Sequence, residues 1–74
     1  LERDEFILQT FGERLKELRL KKDMSQVDVA FEAGVDPRTI NRIENGKQDP
    51  RLSVVVAIAL ALECKIDDLI KLNP

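Results

Sequence analysis

The sequence predicts an all-α fold of five helices, on three observations. Helix start and stop signals alternate through its middle: Ser25 and Asp36 are N-cap residues, while Gly34 and Gly46 suit left-handed stops. Aromatic residues make up only 4% of the chain, and β-branched residues are dense in a single run, Leu52 to Leu62. A lone strand there would leave its backbone hydrogen bonds without a partner, so that run is assigned to a helix as well. At 74 residues the chain makes one small domain, whose limited core favours self-association.

Residues 1–9 open the chain ambiguously. Phe6, Ile7 and Leu8 are consecutive apolar residues with no helical stripe. They read as an arm packed on the domain or as a backward extension of the first helix. The arm is preferred because Thr10 and Glu13 have capping-box spacing, which divides the chain into an arm at 1–9 and a domain at 10–74. The first helix is expected over Phe11 to Lys22, with Phe11, Leu15 and Leu18 on one face and Lys21 and Lys22 at its negative end. Asp23 then takes a left-handed position that Asp tolerates.

The second helix starts at the Ser25 cap with Asp28 at its third position, turns Val29 and Ala30 inward and ends at Gly34, and Val35 enters the core. The third starts at Asp36 with Pro37 at its first position, where a missing N–H costs nothing, and stops at Asn45-Gly46. After the polar loop KQDP and the fourth helix, Asp67 and Asp68 open a short fifth helix with Ile66, Leu69 and Ile70 inward. Val27 and Phe31 form an apolar pair on the second helix, which either the arm covers, the preferred reading, or a second protein contact uses.

Composition removes several function classes. The chain has no His and one cysteine, Cys64, so zinc-site spacings, redox motifs and an internal disulfide are absent. Cys64 has apolar neighbours and reads as a small buried hydrophobe. No paired carboxylates sit at a plausible cleft and no glycine-rich phosphate loop appears, so an enzyme is not expected; nor is a cofactor, a metal or a small-molecule ligand. No signal peptide or membrane-length apolar run is visible, which points to the cytoplasm and to no membrane partner.

The net charge of −2 disfavours nonspecific nucleic-acid binding, but its distribution is uneven. Between Arg38 and Arg51, four bases (Arg38, Arg42, Lys47, Arg51) face two acids (Glu44, Asp49). On a helical wheel Asn41, Arg42 and Asn45 fall within about 60° of Arg38, opposite Ile40 and Ile43. Arg donates two bonds to guanine and Asn pairs bidentately with adenine, so this ridge suits base edges in a DNA major groove. Thr39 flanks it, as does Asp36, which would repel phosphate unless it were capping.

The stretch Ser25 to Gly46 resembles the helix-turn-helix of Cro/λ-repressor-like bacterial and phage regulators, also called the xenobiotic response element (XRE) or Cro/C1 type. The resemblance rests on Gln26 after a Ser cap, Ala30, Gly34, Ile40 and Arg42-Ile43-Glu44-Asn45-Gly46-Lys47. It continues through Pro50-Arg51-Leu52, Ile58 to Leu62 and Ile66 to Leu69, covering residues 10 to 70. It implies a compact five-helix λ-repressor-like DNA-binding domain, with the helix-turn-helix at helices 2 and 3 and double-stranded DNA as partner. By matching position it implies base reading by Pro37, Arg38 and Arg42, with Thr39 and Asn41 close by. It implies phosphate or backbone contact by Gln26, Asn45, Lys47 and Arg51, the last near the minor groove. Pro37 lacks a side-chain donor, which shifts that position toward a thymine methyl. The resemblance also implies a buried ion pair between Arg19 and Glu44, whose breakage costs about 3–5 kcal/mol.

On the fourth helix Val54, Ala57, Leu60 and Ala61 are apolar where the family is often polar. Contiguous apolar surface marks an interface, so a homodimer built on the fourth helix, the fifth helix and the loop between them is expected. Two function classes follow. The leading one is a sequence-specific transcriptional regulator, a repressor that covers a palindromic operator as a dimer. The other is a protein-interaction module or antitoxin-type adaptor on the same scaffold, favoured by the negative net charge and extra apolar patches and disfavoured by the ridge.

Overall fold

The structure is a computed structural model and describes residues 1–70; positions 71–74 of the expected domain lie outside the described residues. Five helices follow one another: α1 (Glu2–Lys21), α2 (Gln26–Ala33), α3 (Pro37–Glu44), α4 (Leu52–Ala61) and α5 (Ile66–Leu69). Among the described residues all regular structure is helical, as expected. α2 packs on α3 and α4, α1 on α3 and α5, and α4 on α5.

The helices end alike. At each of the four connections one residue with positive φ follows the helix: Asp23, Gly34, Gly46 and Glu63. At each, the next amide reaches back a full turn: Met24 to Arg19, Val35 to Ala30, Lys47 to Arg42 and Cys64 to Ala59, at 2.8–3.1 Å. These are Schellman caps. Gly34 (φ 71°) and Gly46 (φ 68°) adopt the left-handed geometry without a Cβ penalty. Asp23, expected there, has φ 57°; Glu63, at φ 53°, was not expected. The starts of α2 and α3 follow the sequence too. Ser25 and Asp28 form a reciprocal capping box at 3.0 and 2.9 Å. Asp36 accepts from the Arg38 amide at 2.8 Å, with Pro37 opening the helix.

Phe11 and Leu15 of α1, Val29 and Ala30 of α2, and Ile40 and Ile43 of α3 meet Val55, Ile58, Ala59, Leu62 and Leu69 in one core. Val35, Leu18, Cys64 and Ile66 pack against its edge. Each fully buried Leu, Ile or Val side chain contributes about 1.5–3 kcal/mol of transfer free energy. Burial pushes the Cys64 thiol above its usual range, consistent with a packing role. Ile70 differs from expectation: it is more than one-third exposed, because α5 ends at Leu69 and only Leu69 faces fully inward.

Three expectations are corrected. Residues 2–9 are not an arm: they continue α1, so the Thr10–Glu13 spacing marks a helix interior and not a cap. The first turn carries Glu2, Asp4 and Glu5, acids that suit a helix N-terminus and offset the absence of a side-chain cap. Second, this segment does not cover α2. Val27 and Phe31 stay 60% and 82% exposed, whereas Ile7 and Leu8 line an apolar groove of about 110 Å³ with Phe11, Pro50, Val55 and Ile70. Third, Val54 and Ala61 of the expected dimer stripe lean on the core, and Ala57 is half-buried. The open apolar stripe of α4 is Leu52, Val56 and Leu60, spaced four residues apart along one flank of the buried face.

Candidate nucleic-acid interface

α3 is held from beneath by two contacts. The first is apolar, with Ile40 and Ile43 almost fully buried. The second is ionic. Arg19 of α1 is only 7% exposed, and its Nε and Nη2 donate to Glu44 Oε2 and Oε1 at 2.6 and 3.0 Å. Its Nη1 donates to the Met24 carbonyl at 2.9 Å, so the guanidinium also fixes the α1–α2 connection. The Glu44 side chain is 3% exposed. Hydrogen bonding to Glu44 raises the Arg19 pKa beyond its already high value. The pair implied by the resemblance is therefore present, bidentate and buried.

Gly12 brings the two helices together. A Cβ there would lie 2.4 Å from the Ile43 carbonyl oxygen and 2.7 Å from that of Glu44. α1 thus touches the backbone of α3's last turn, a contact without a local sequence signal. Gln9 similarly lies against Gly46, which ties the added turns of α1 to the end of α3.

On the outer face Arg38, Asn41, Arg42 and Asn45 are all exposed, as the helical wheel predicts, and Thr39 is half-buried beside them. Pro37 is exposed at the helix start. The Arg38 guanidinium lies 3.4 Å from the Asp36 carboxylate. The Arg38 amide, and then its side chain, hold the Asp36 carboxyl below the usual carboxylate range. Asp36 is thus engaged as a cap. Arg42, Lys47 and Arg51 form no ion pair among the described residues, and all three are exposed. Asp36, Arg38, Thr39, Arg42 and Gln48 line a shallow polar hollow at this face. Gln48 is the member that sequence reasoning passed over, since the loop KQDP carries no local sign of which of its residues lies beside α3.

Gln26 behaves differently from the simple phosphate contact expected of it. It is half-buried, donates through Nε2 to Glu44 Oε1 at 3.0 Å, and accepts from Asn41 Nδ2 at 3.2 Å. Asn45 Nδ2 in turn donates to the Asn41 carbonyl at 2.9 Å and lies 3.4 Å from Asn41 Oδ1. A hydrogen-bonded line therefore runs from the buried ion pair to the exposed ridge.

Comparison with known proteins agrees with this geometry. Residues 15–69 match the model of the helix-turn-helix family. An uncharacterised HTH-type transcriptional regulator of Archaeoglobus fulgidus is 39% identical over 56 residues, covering 76% of this chain and 79% of its own. Another, from Methanocaldococcus jannaschii, is 39% identical over 56 residues, covering 76% of this chain and 85% of its own. Among solved structures, the restriction-modification controller protein C.AhdI from Aeromonas hydrophila superposes with a TM-score of 0.82 at 35% identity, covering 84% of this chain and 94% of its own.

Proposed function

The chain belongs to the helix-turn-helix family of DNA-binding transcriptional regulators, of the Cro/C1 type, and on that premise we propose that it is a repressor that reads a palindromic operator through α3 as a homodimer. The observation that carries this reading is the exposed ridge Arg38-Asn41-Arg42-Asn45 standing on an immobilised helix. Arg38, Asn41 and Arg42, with Thr39 and Pro37 beside them, face base edges; Gln26, Asn45, Lys47 and Arg51 meet the backbone. Arg38 exchanges its Asp36 partner for a base on binding. The likeness to a restriction-modification controller supports a regulator of this small size. For the dimer we assign Leu60 and Ala57 of α4, joined by Leu52 and Val56, as the shared surface, with the two recognition helices about one DNA turn (~34 Å) apart. No helix among the described residues is long and apolar enough to cross a membrane.

A selection from random DNA sites at moderate salt tests the reading directly. Arg42→Ala is expected to relax base preference at one position of the selected site, at about 1–3 kcal/mol. Lys47→Ala is expected to weaken all sequences alike and reduce the salt slope by about 1. Failure of the chain to select any site would overturn the proposal. It would favour a protein-binding adaptor, the reading to which the exposed Val27 and Phe31 on α2 lend support.

A further inference from the structure

We infer that the buried charge of Glu44 sets, through Gln26, which way the amide of Asn41 faces, and so fixes the orientation of the A·T pair that Asn41 reads. The inference rests on α3 meeting base edges. It makes Gln26 a positioning residue for specificity in addition to any contact with phosphate.

An ionised carboxylate only accepts hydrogen bonds. Glu44 already accepts from two nitrogens of Arg19 and takes a third bond from Gln26. Gln26 therefore turns its Nε2 inward, and a reversed amide would set Oε1 against Glu44 Oε1 with no proton between them. With Nε2 inward, Gln26 Oε1 points to Asn41, where it accepts only a donor. Asn41 answers with Nδ2 at 3.2 Å, which leaves its Oδ1 on the side of Asn45 Nδ2. Asn45 holds that end, since its Nδ2 is also bound to the Asn41 carbonyl. Donor and acceptor roles thus pass outward from Glu44 with one polarity, each step fixed by the one beneath it.

The consequence lies at the outer edge of Asn41. One Nδ2 hydrogen and one Oδ1 lone pair remain free there, in a set order along the helix. Adenine presents its N7 acceptor and N6 donor in one order in A·T and in the opposite direction in T·A. A freely flipping Asn could match either by a half-turn of its amide. An Asn held by Gln26 matches one.

The base pair facing Asn41 is identified first, as the position where Asn41→Ala loses preference in a selected site. Gln26→Met keeps side-chain length and the Arg19–Glu44 pair but removes the link. The expected result is that discrimination between A·T and T·A at that pair falls from about tenfold or more to about threefold or less, while ratios at the other positions hold. A uniform loss of affinity from a missing phosphate contact cancels in these ratios. An unchanged ratio at that pair, or no position responding to Asn41→Ala, overturns the inference and leaves the DNA reading standing.

A second measurement needs no DNA. Asn41→Asp places an acceptor opposite Gln26 Oε1, so it is expected to lower Tm in the wild-type background and to cost clearly less in Gln26→Met. Equal losses in both backgrounds would also overturn the inference. If the wild-type chain selects no site, the reading that Asn41 meets bases fails and the inference about specificity fails with it. The thermal cycle still shows whether the line from Glu44 exists.

Discussion

Gly12 lets α1 meet the backbone of the last turn of α3. With carbonyl oxygens 2.4 and 2.7 Å from where its Cβ would be, there is no room for a methyl group, and the wall is backbone and not a side chain that could swing away. Gly12→Ala gains about 1 kcal/mol of helix propensity but incurs an overpacking cost of about 1–3 kcal/mol. Because the wall cannot yield, the second effect wins. The expected outcome is a lower urea midpoint and weaker DNA binding as α1 and α3 move apart; a midpoint at or above wild type would refute the contact. Neighbouring residues show how far local patterns reach. The exposure of Arg38, Asn41, Arg42 and Asn45 is legible from a helical wheel, because a helix with Ile40 and Ile43 buried has only one outer face. Gly12 is not legible: a glycine inside a helical pattern looks like a weak spot until the helix packed against it is known.

At the scale of elements, the four Schellman turns place the helices, and two of them carry a residue with a Cβ. Left-handed geometry costs a non-glycine residue roughly 1–2 kcal/mol, partly offset on substitution by the greater freedom of glycine in the unfolded chain, about 0.4–1 kcal/mol. Asp23 has no ion pair among the described residues, so Asp23→Gly is expected to stabilise by about 0.5–1 kcal/mol net, read as a higher urea midpoint. Glu63 is held by Lys22 at 2.7 Å, which pulls its carboxyl pKa down, so the same change there gains less.

The helix starts respond to acid. The Ser25 amide, and then the Ser25 hydroxyl, keep the Asp28 carboxyl below its usual range, and the Arg38 amide does the same for Asp36. Both folded pKa values lie below the unfolded ones. Their contribution is thus complete above the unfolded pKa, about 3.9, and is lost as pH falls through the folded values. Tm measured from neutral to about pH 2 is expected to drop below about pH 4, and Asp28→Asn with Asp36→Asn to flatten that drop. An equally steep drop in the double variant would place the acid sensitivity elsewhere. These starts were legible because capping is a contact between residues two or three apart. The start of α1 was not: Glu2, Asp4 and Glu5 favour a helix N-terminus only weakly, the Thr10–Glu13 spacing points to a later start, and what lies beside Ile7 and Leu8 is known only from the fold.

At the scale of the whole molecule, α4 presents Leu52, Val56 and Leu60 outward, with Leu60 74% exposed. A second copy would remove that surface from water, and a two-fold axis would set two recognition helices on one DNA face. Leu60→Glu is expected to raise the dimer dissociation constant tenfold or more in sedimentation analysis. It should also abolish cooperative binding to a full operator while a half-site is still bound. A wild-type chain that stays monomeric at high concentration would refute the assignment. That α4 is apolar on nearly every side, Ser53 apart, was visible in its residues. Which flank stays open was not, because Val54 and Ala61 are taken up by the core through contacts from other helices.

The sequence by itself determined five helices, the caps of α2 and α3, the inner and outer faces of α3, and membership of a DNA-binding family, since each depends on neighbours within a turn or on a pattern carried in order along the chain. Only the tertiary structure decided that residues 2–9 extend α1, that Gly12 admits the backbone of α3, and that Gln26 and Asn41 are linked to the buried pair of Arg19 and Glu44. The physical reason is separation along the chain. Close packing and hydrogen-bond polarity between α1, α2 and α3 exist only once folding has brought their surfaces together, and no local pattern encodes the distance between them.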